Sequence, residues 1–482
     1  MSFDTTTFWV FFVVAWVLWR TLPFSAAKTV ALVASLIFYG WWDPRYVPLM
    51  VLSALIDYVA GARISLTENP RARRFWLVFA LSMNLGLLAY FKYAPFVVDN
   101  ARIVSGWLGL PKPGPLVGWV IPVGISFYLF KTMSYTIDVY RRQVKPVLNV
   151  RDFLLFVSFF PELVAGPIVR ASVLLPQLVR RRRLFLPSVQ TGLYHVIVGM
   201  FLKVVVADNL AGPVEHVFDF EALPHLSPTR VWLGVVYFGV QIFADFAGYS
   251  SIAIGLAYLL GLRFPKNFNY PYISQGLSEF WRRWHISLST WLRDYLYVPL
   301  GGNRRGRWRT YVNLSVTMLL GGLWHGASWN FVVWGGMHGL GLAVERWWKE
   351  TFSRHPQPEM RAGDLAPVRS IPGTVLRIAV VFAFVHTAWV FFRAESFGMA
   401  GRVLQRMYLA PWSEGLGLAD LAQARHLVLV APVAALHIGQ LCQERFRFEK
   451  PVWSRAVLAG VLFVLLLVVF RPAGRAFIYF QF

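Results

Sequence analysis

Long apolar stretches recur along this chain from its first residues to its last, separated by short polar segments. They cover roughly Thr7–Trp19, Ala27–Trp42, Tyr46–Gly61, Phe75–Val98, Trp119–Tyr140, Ser188–Ala207, Val231–Leu262, Tyr311–Trp324, Trp329–Val344, Leu376–Phe392, Leu427–Leu441 and Val457–Phe470. None shows the alternation of a membrane β-barrel. Backbone groups in hydrocarbon must be bonded within their own segment, so each run reads as a helix. A perpendicular crossing takes about 20 residues, and several runs fall short of that; these are expected to be half-helices or re-entrant segments. The first run has no small-residue cleavage site and another follows at once, which predicts a retained helix rather than a signal peptide. The expected fold is all-α and polytopic, with roughly 11 transmembrane helices plus re-entrant or interfacial ones. No repeat of 20–50 residues and no Ser/Gly linker divides the chain, so 1–482 is expected to be a single membrane-embedded domain.

Composition supports this. Of the 482 residues, 57% are hydrophobic and 15% charged, where a soluble domain carries about 25% charged residues. A mean hydropathy of +0.51 is more than a soluble globule hides. One cysteine, Cys442, forms no intramolecular disulfide and no cysteine-rich metal site. A net charge of +23 in a soluble protein would point to nucleic acid. Here the cytoplasmic excess of Lys and Arg in membrane proteins accounts for it, with contact to anionic lipid or a phosphate-bearing substrate as additions. Basic residues concentrate at 63–74, 141–151, 180–183 and 282–309, whereas 208–228 carries Asp208, Glu215, Asp219 and Glu221 and no Lys or Arg. The intervening runs alternate consistently if the basic loops are cytoplasmic and 208–228 and the N-terminus lie outside.

Two regions depart from simple spanning. Phe153–Val169 is flanked by arginines and contains Pro161, Glu162, Gly166 and Pro167, which predicts a re-entrant segment. The run Tyr311–Val344, also with basic flanks, is interrupted at Trp324–Asn330, and a polar break at membrane depth is the first place to seek a site.

The chain has no nucleophile elbow, Walker-type phosphate loop or zinc helix. His325 and His338 are not at a ligand spacing and no acidic or cysteine cluster completes a set, so no metal is expected. What remains are ionisable residues inside apolar runs: Asp57, Asp138, Asp245, His195, His325, His338, His386 and His437. Each carries a functional role as its default reading. Asp57 and Asp138 are expected to pair with neighbouring arginines, and His195 and His437 to make interhelical hydrogen bonds. His325 stands apart, in a broken helix beside Gly321, Gly322, Gly326 and Ala327, small residues that would let a substrate approach the backbone. From Ser278 to Tyr297 the residues Phe280, Trp284, Leu288, Trp291 and Tyr295 can share one helical face, which predicts an in-plane amphipathic helix with His285 pointing into a cavity. Gly301–Arg307, with Arg304, Arg305 and Arg307, is a weak candidate for cradling phosphates.

At these residues the chain resembles a known family. The segments FFPELVAGPIVR (159–170), FADFAGYSSIAIG (243–255), FPKNFNYPYISQGLSEFWRRWHISLSTWLRDYLYVPLGGNR (264–304) and GGLWHGASWNFVVWGGMHG (321–339) resemble the membrane-bound O-acyltransferases. They are most similar to the bacterial alginate-acetylating branch, and less so to the proteins that D-alanylate teichoic acid. The likeness covers most of the chain, with its motif-bearing core at about 120–345. It implies a many-helix membrane acyltransferase with a central tunnel. His325 of the Trp-His-Gly motif is then the essential residue and His285 the second polar one. Asp245, Trp324 and Asn269 are supporting residues, although Ala247 stands where the common form has serine.

The resemblance and the residues together predict acetyl transfer from a cytoplasmic donor, acetyl-CoA, towards hydroxyls of an extracytoplasmic polysaccharide in the bacterial inner membrane. A histidine titrates near neutral pH and suits the role of base, and the cationic face suits a phosphate-bearing donor or an acidic carrier protein. Delivery is expected to need a separate periplasmic acetyltransferase-like partner. The rival reading is a transporter or flippase for an anionic or acyl-bearing substrate, which broken helices and buried acids also fit. A polysaccharide polymerase would need larger outer loops than 99–117, 208–228 and 394–426.

Overall fold

The computed structural model describes residues 1–114, 116, 120–163, 166–179, 181, 183–352, 370–411, 423–446, 452–469 and 478. Trp119, Arg180, Arg182, Phe470 and part of the 394–426 loop lie outside them. Among the described residues there is no strand, and every apolar run becomes a helix. In chain order these are α1 (Thr6–Thr21), α2 (Phe24–Gly40), α3 (Val47–Leu66), α4 (Pro70–Leu88), α5 (Ala94–Trp107), α6 (Ile125–Tyr140), α7 (Val150–Ser158), α8 (Leu186–Met200), α9 (Asp208–Val217), α10 (Pro228–Leu259), α11 (Leu277–Arg283), α12 (Ile286–Leu292), α13 (Arg307–His325), α14 (Trp329–Phe352), α15 (Ile371–Arg393), α16 (Phe397–Tyr408), α17 (Leu427–Phe446) and α18 (Val452–Val469). Among the described residues, six helical stretches are long and apolar enough to cross a membrane: Pro44–Leu66, Pro70–Trp107, Leu186–Val217, Pro228–Leu259, Ile371–Arg393 and Leu427–Phe446. Thr6–Thr21, Phe24–Gly40 and Ser454–Val468 are shorter apolar helices. Side chains such as Val10, Val14, Phe75, Val78, Val380 and Val468 are exposed along helices, the apolar belts that lipid covers. The stretches expected as outer loops at 99–117 and 208–228 are partly helical, in α5 and α9.

The chain forms two compact units. The first comprises Met1–Val196 and Tyr249–Pro265, the second Ile197–Gly248 and Lys266–Phe482. In the first, α3 packs on α4 and α6, and α2 on α7. These contacts are pinned by polar residues placed where the helices meet. Asp57 of α3, fully buried, accepts from Asn84 Nδ2 of α4 at 2.6 Å and Thr136 Oγ1 of α6 at 2.5 Å. The expected arginine partner is therefore replaced by neutral donors, while Arg73 of α4 donates instead to Tyr140 O at the end of α6, at 2.8 Å. Lys131 of α6 is paired with Glu162 and also donates to Phe156 O at 2.5 Å. The segment predicted to be re-entrant is broken into α7 and a short turn at Phe160–Leu163, and its residues 153, 155–163 and 166–169 are buried. Its irregular backbone is thus covered by protein, the condition such a segment requires. The last carbonyls of α10 are met by indoles of α1: Trp16 Nε1 donates to Leu259 O at 2.8 Å and Trp19 Nε1 to Leu260 O at 2.9 Å. Arg181 closes the end of α1 by donating to Arg20 O and Leu22 O.

In the second unit, Phe238, Phe243, Trp284, Trp334 and Trp389 sit in one buried aromatic core. Its most tightly packed part is the antiparallel pair α13–α14. A Cβ on Gly322 would lie 2.2 Å from Phe331 O, one on Gly335 2.4 Å from Met318 O, and one on Gly339 2.9 Å from Ser315 Cα. The two backbones touch, as small residues allow between membrane helices. From Thr310 to Val344 the hairpin carries no Asp, Glu, Lys or Arg. The interruption expected at Trp324–Asn330 is therefore the tip of a hairpin and not a break within one span.

The charge asymmetry leads to a topology that can be checked directly. In a Cys442→Ser background, an impermeant thiol reagent added to intact cells should modify a cysteine placed at Glu215 and spare one placed at Arg305. Labelling at Arg305 alone would reverse the orientation.

Candidate active site

α13 ends on His325 because Gly326, with extended backbone, leaves the helical path. This places the imidazole at the hairpin tip, 5% exposed. Its ring lies 4.9 Å from Trp324, 5.1 Å from Trp334 and 5.2 Å from Phe392, centroid to centroid. His285 is fully buried, 4.5 Å from Phe246 and 5.8 Å from Trp324. The two imidazoles face one another at 6.5 Å, which keeps their nitrogens beyond direct hydrogen-bonding distance. Trp324 touches both rings, at 5.8 Å from His285 and 4.9 Å from His325. Burial pushes the His285 imidazole down to about 3, so it is neutral at physiological pH.

The expected helix from Ser278 to Tyr297 is not continuous. It is split into α11 and α12 at His285, whose φ of 41° and ψ of 55° are left-handed. The apolar face is buried as the spacing predicts, including Phe280, Trp284, Leu288, Trp291 and Tyr295. Arg283 is buried too, held by Glu279 at 2.8 Å and Glu444 at 2.8 Å.

The glycines beside His325 do not make room for substrate. A Cβ on Gly326 would meet the Phe331 ring at 2.1 Å, and Gly322 is filled by α14. Their small size serves backbone packing, and space for ligand is elsewhere. A cavity of about 210 Å³ is lined by Lys203, Asp208, Glu215, Gln241, Asp245 and Arg393, among others. Lys203 Nζ lies 2.7 Å from Asp208 and 2.9 Å from Asp245, and Ile478 N–H donates to Asp245 Oδ2 at 2.6 Å. Asp245 is next in sequence to Phe246, and Arg393 to Phe392.

Asn269 contributes its backbone: its N–H donates to Arg283 O at 2.9 Å and its carbonyl accepts from Arg283 Nη1 at 3.2 Å. Arg304, Arg305 and Arg307 are exposed, and Arg307 is 3.6 Å from Glu350. Among the other histidines, His195 meets Ser251 Oγ at 3.1 Å. His386 and His437 donate from Nδ1 to Phe382 O and Val433 O of their own helices, each at 2.8 Å. The interhelical bond expected of His437 is thus an intrahelical one, since its ring turns back along α17. His338 is buried between Trp281 and Trp334. Sequence reasoning did not single out Phe392, Lys203 or Arg393, which lie in no motif, nor Phe246, which the 243–255 segment does contain.

The described residues form an all-helical membrane chain with two buried histidines close to one another. The model of the membrane-bound O-acyltransferase family matches residues 118–376, and the chain belongs to that family. It is 38% identical over 477 residues, 94% of this chain and 93% of the relative, to the "Probable alginate O-acetylase AlgI" of Pseudomonas putida. It is 34% identical over 400 residues, 78% of this chain and 72% of the relative, to the "Peptidoglycan O-acetyltransferase" of Helicobacter pylori. With the "Teichoic acid D-alanyltransferase" of Streptococcus thermophilus it shares 30% over 292 residues, 55% of this chain and 69% of the relative. The protein is a multi-pass membrane O-acyltransferase.

Proposed function

We propose that this enzyme passes an acetyl group from acetyl-CoA at the cytoplasmic face to hydroxyls destined for an extracytoplasmic polysaccharide, in the bacterial inner membrane. The observation that carries the reading is the pair His325–His285, buried and facing across 6.5 Å at the hairpin tip. His325 takes the proton from the acceptor hydroxyl as its oxygen attacks the thioester carbonyl. His285 donates a hydrogen bond to the oxyanion that develops. Collapse of the tetrahedral intermediate breaks the C–S bond, and the departing thiolate recovers the proton from His325. The products are the acetyl ester and free thiol. Removing water from this aromatic enclosure strengthens each of these interactions.

The cavity beside Asp245 and Arg393 receives the acceptor, because its lining offers both donors and acceptors to a hydroxyl. The names of the relatives support a polysaccharide as final acceptor, and a periplasmic acetyltransferase-like partner completes delivery. On the opposite face, Arg304, Arg305 and Arg307 attract the phosphates of the donor.

The test is transfer of label from acetyl-CoA to polysaccharide in membranes carrying the native acceptor machinery. Replacing the three arginines with alanine should raise the KM for donor severalfold and leave kcat little changed, the signature of lost uniform binding. An unchanged KM would leave them as topology determinants alone, and absence of label in the wild-type product would remove acetyl-CoA as the donor.

A further inference from the structure

We infer that Asn267 is a positioning residue that holds the His285 imidazole in the site; this rests on the role proposed above for His285. The starting point is the backbone. Left-handed φ and ψ are uphill for a residue with a Cβ, and they persist only where surrounding structure over-determines them. Among the described residues, Arg142, Tyr270 and His285 are the non-glycine residues at positive φ. His285 is the one of these that faces His325.

Two short segments over-determine it. Residues 267–269 run beside 283–287 and bond to them on both sides of His285. Before it, Asn269 N–H donates to Arg283 O at 2.9 Å, and after it, Ile286 N–H donates to Asn267 O at 2.8 Å. The side chain of Asn267 adds a third anchor. Its Oδ1 accepts from Ser287 Oγ at 2.9 Å and from Ser287 N–H at 3.3 Å. Asn267 is 1% exposed, so this amide oxygen is committed to that one place.

The position of that oxygen has a chemical consequence. His285 is the N-cap of α12, and an N-cap side chain ordinarily accepts from the N–H of the second or third helical residue. The His285 side chain makes no such bond. Asn267, from a separate stretch of chain, caps Ser287 in its stead. The imidazole is thereby released from capping its own helix and turns towards Phe246, Trp324 and His325. Because Asn267 touches Ser287 and not the reacting atoms, its effect on rate passes through His285.

The experiment is a double-mutant cycle on acetyl transfer by the full-length protein in membranes, with kcat and donor KM measured for Asn267→Ala, Asn267→Asp, His285→Ala and the double variant. Misplacing a group by about 1 Å can lower a rate by about 10²-fold. Asn267→Ala should lower kcat by about 10- to 100-fold with little change in KM. Asn267→Asp, which keeps an oxygen at the capping position, should recover most of the loss. In the His285→Ala background Asn267→Ala should have little further effect, since both changes remove the same function. Losses that multiply, a wild-type kcat for Asn267→Ala, or no recovery with aspartate in a well-folded variant would overturn the inference. If Asn267→Ala does not accumulate, Ser287→Ala, which removes the 2.9 Å bond alone, should lower kcat in the same direction; a wild-type rate there counts against it. Full activity of His285→Ala is a separate result, which removes the role proposed for His285 itself.

Discussion

His325→Ala should abolish detectable acetyl transfer while the protein still inserts and purifies in normal amount. Losing a positioned general base lowers a rate by about 10²–10⁴-fold, and no second histidine lies close enough to substitute, the His285 ring being 6.5 Å away. The imidazole is packed among Trp324, Trp334 and Phe392, so truncation also leaves a small void; folded yield and thermal stability must be measured beside activity. His195→Ala and His437→Ala serve as controls and should keep most activity, because His195 bonds to Ser251 and His437 to a carbonyl of its own helix. Near-wild-type transfer by a well-folded His325→Ala would exclude it as the base.

Gly335→Ala should destabilise the protein by about 1–3 kcal/mol or more, the range of overpacked cores, with a matching loss of activity. The added methyl would meet Met318 O at 2.4 Å, and a backbone oxygen in a packed hairpin has no rotamer into which to retreat. The neighbouring Gly336→Ala is the control. Its Cβ would lie 3.6 Å from a Leu319 methyl, an ordinary contact, and alanine is about 1 kcal/mol better than glycine inside a helix. Thermal melting in detergent should therefore move down for the first and stay level or rise for the second. Equal melting temperatures would show that the α13 and α14 backbones are not in contact at Gly335.

Much of the helical layout was legible in the sequence because spanning helices announce themselves by length and apolarity. The run Leu376–Phe392, for example, lies within α15 at Ile371–Arg393. The histidine pair proposed to act was singled out for a different reason: a histidine in hydrocarbon is conspicuous, and its motif carried the resemblance. What could not be read was which surfaces meet. Gly322 and Gly326 looked like room for substrate, since a one-dimensional pattern does not say that Phe331 fills that room. The turn at His285 was hidden because nothing between Ser278 and Tyr297 is proline or glycine. The amphipathic spacing continues straight through the turn, which is imposed by bonds from Asn267 and Asn269. Asp57 misled similarly, since the nearby Arg63 lies over the Trp76 ring and Arg73 bonds Tyr140 O, leaving Asp57 to Asn84 and Thr136.

The hairpin also bears on how the enzyme comes to exist during synthesis. Its apolar arms have Arg307 and Arg309 at one base and Arg346 and Lys349 at the other. Each of these charges would cost about 2.3 kcal/mol per 100 mV if dragged across the membrane against its potential. The uncharged arms can enter as one piece while both bases stay on the side where they were made. His325 is carried in on that tip before its surroundings are complete, because Phe392 is translated only after α14 and nearly all of α15 have been made. A nascent chain halted between the two would hold His325 in place without Phe392 against it. Trp324 and Trp334 belong to the hairpin itself, so the Phe392 side of the enclosure is the last of the three to be made.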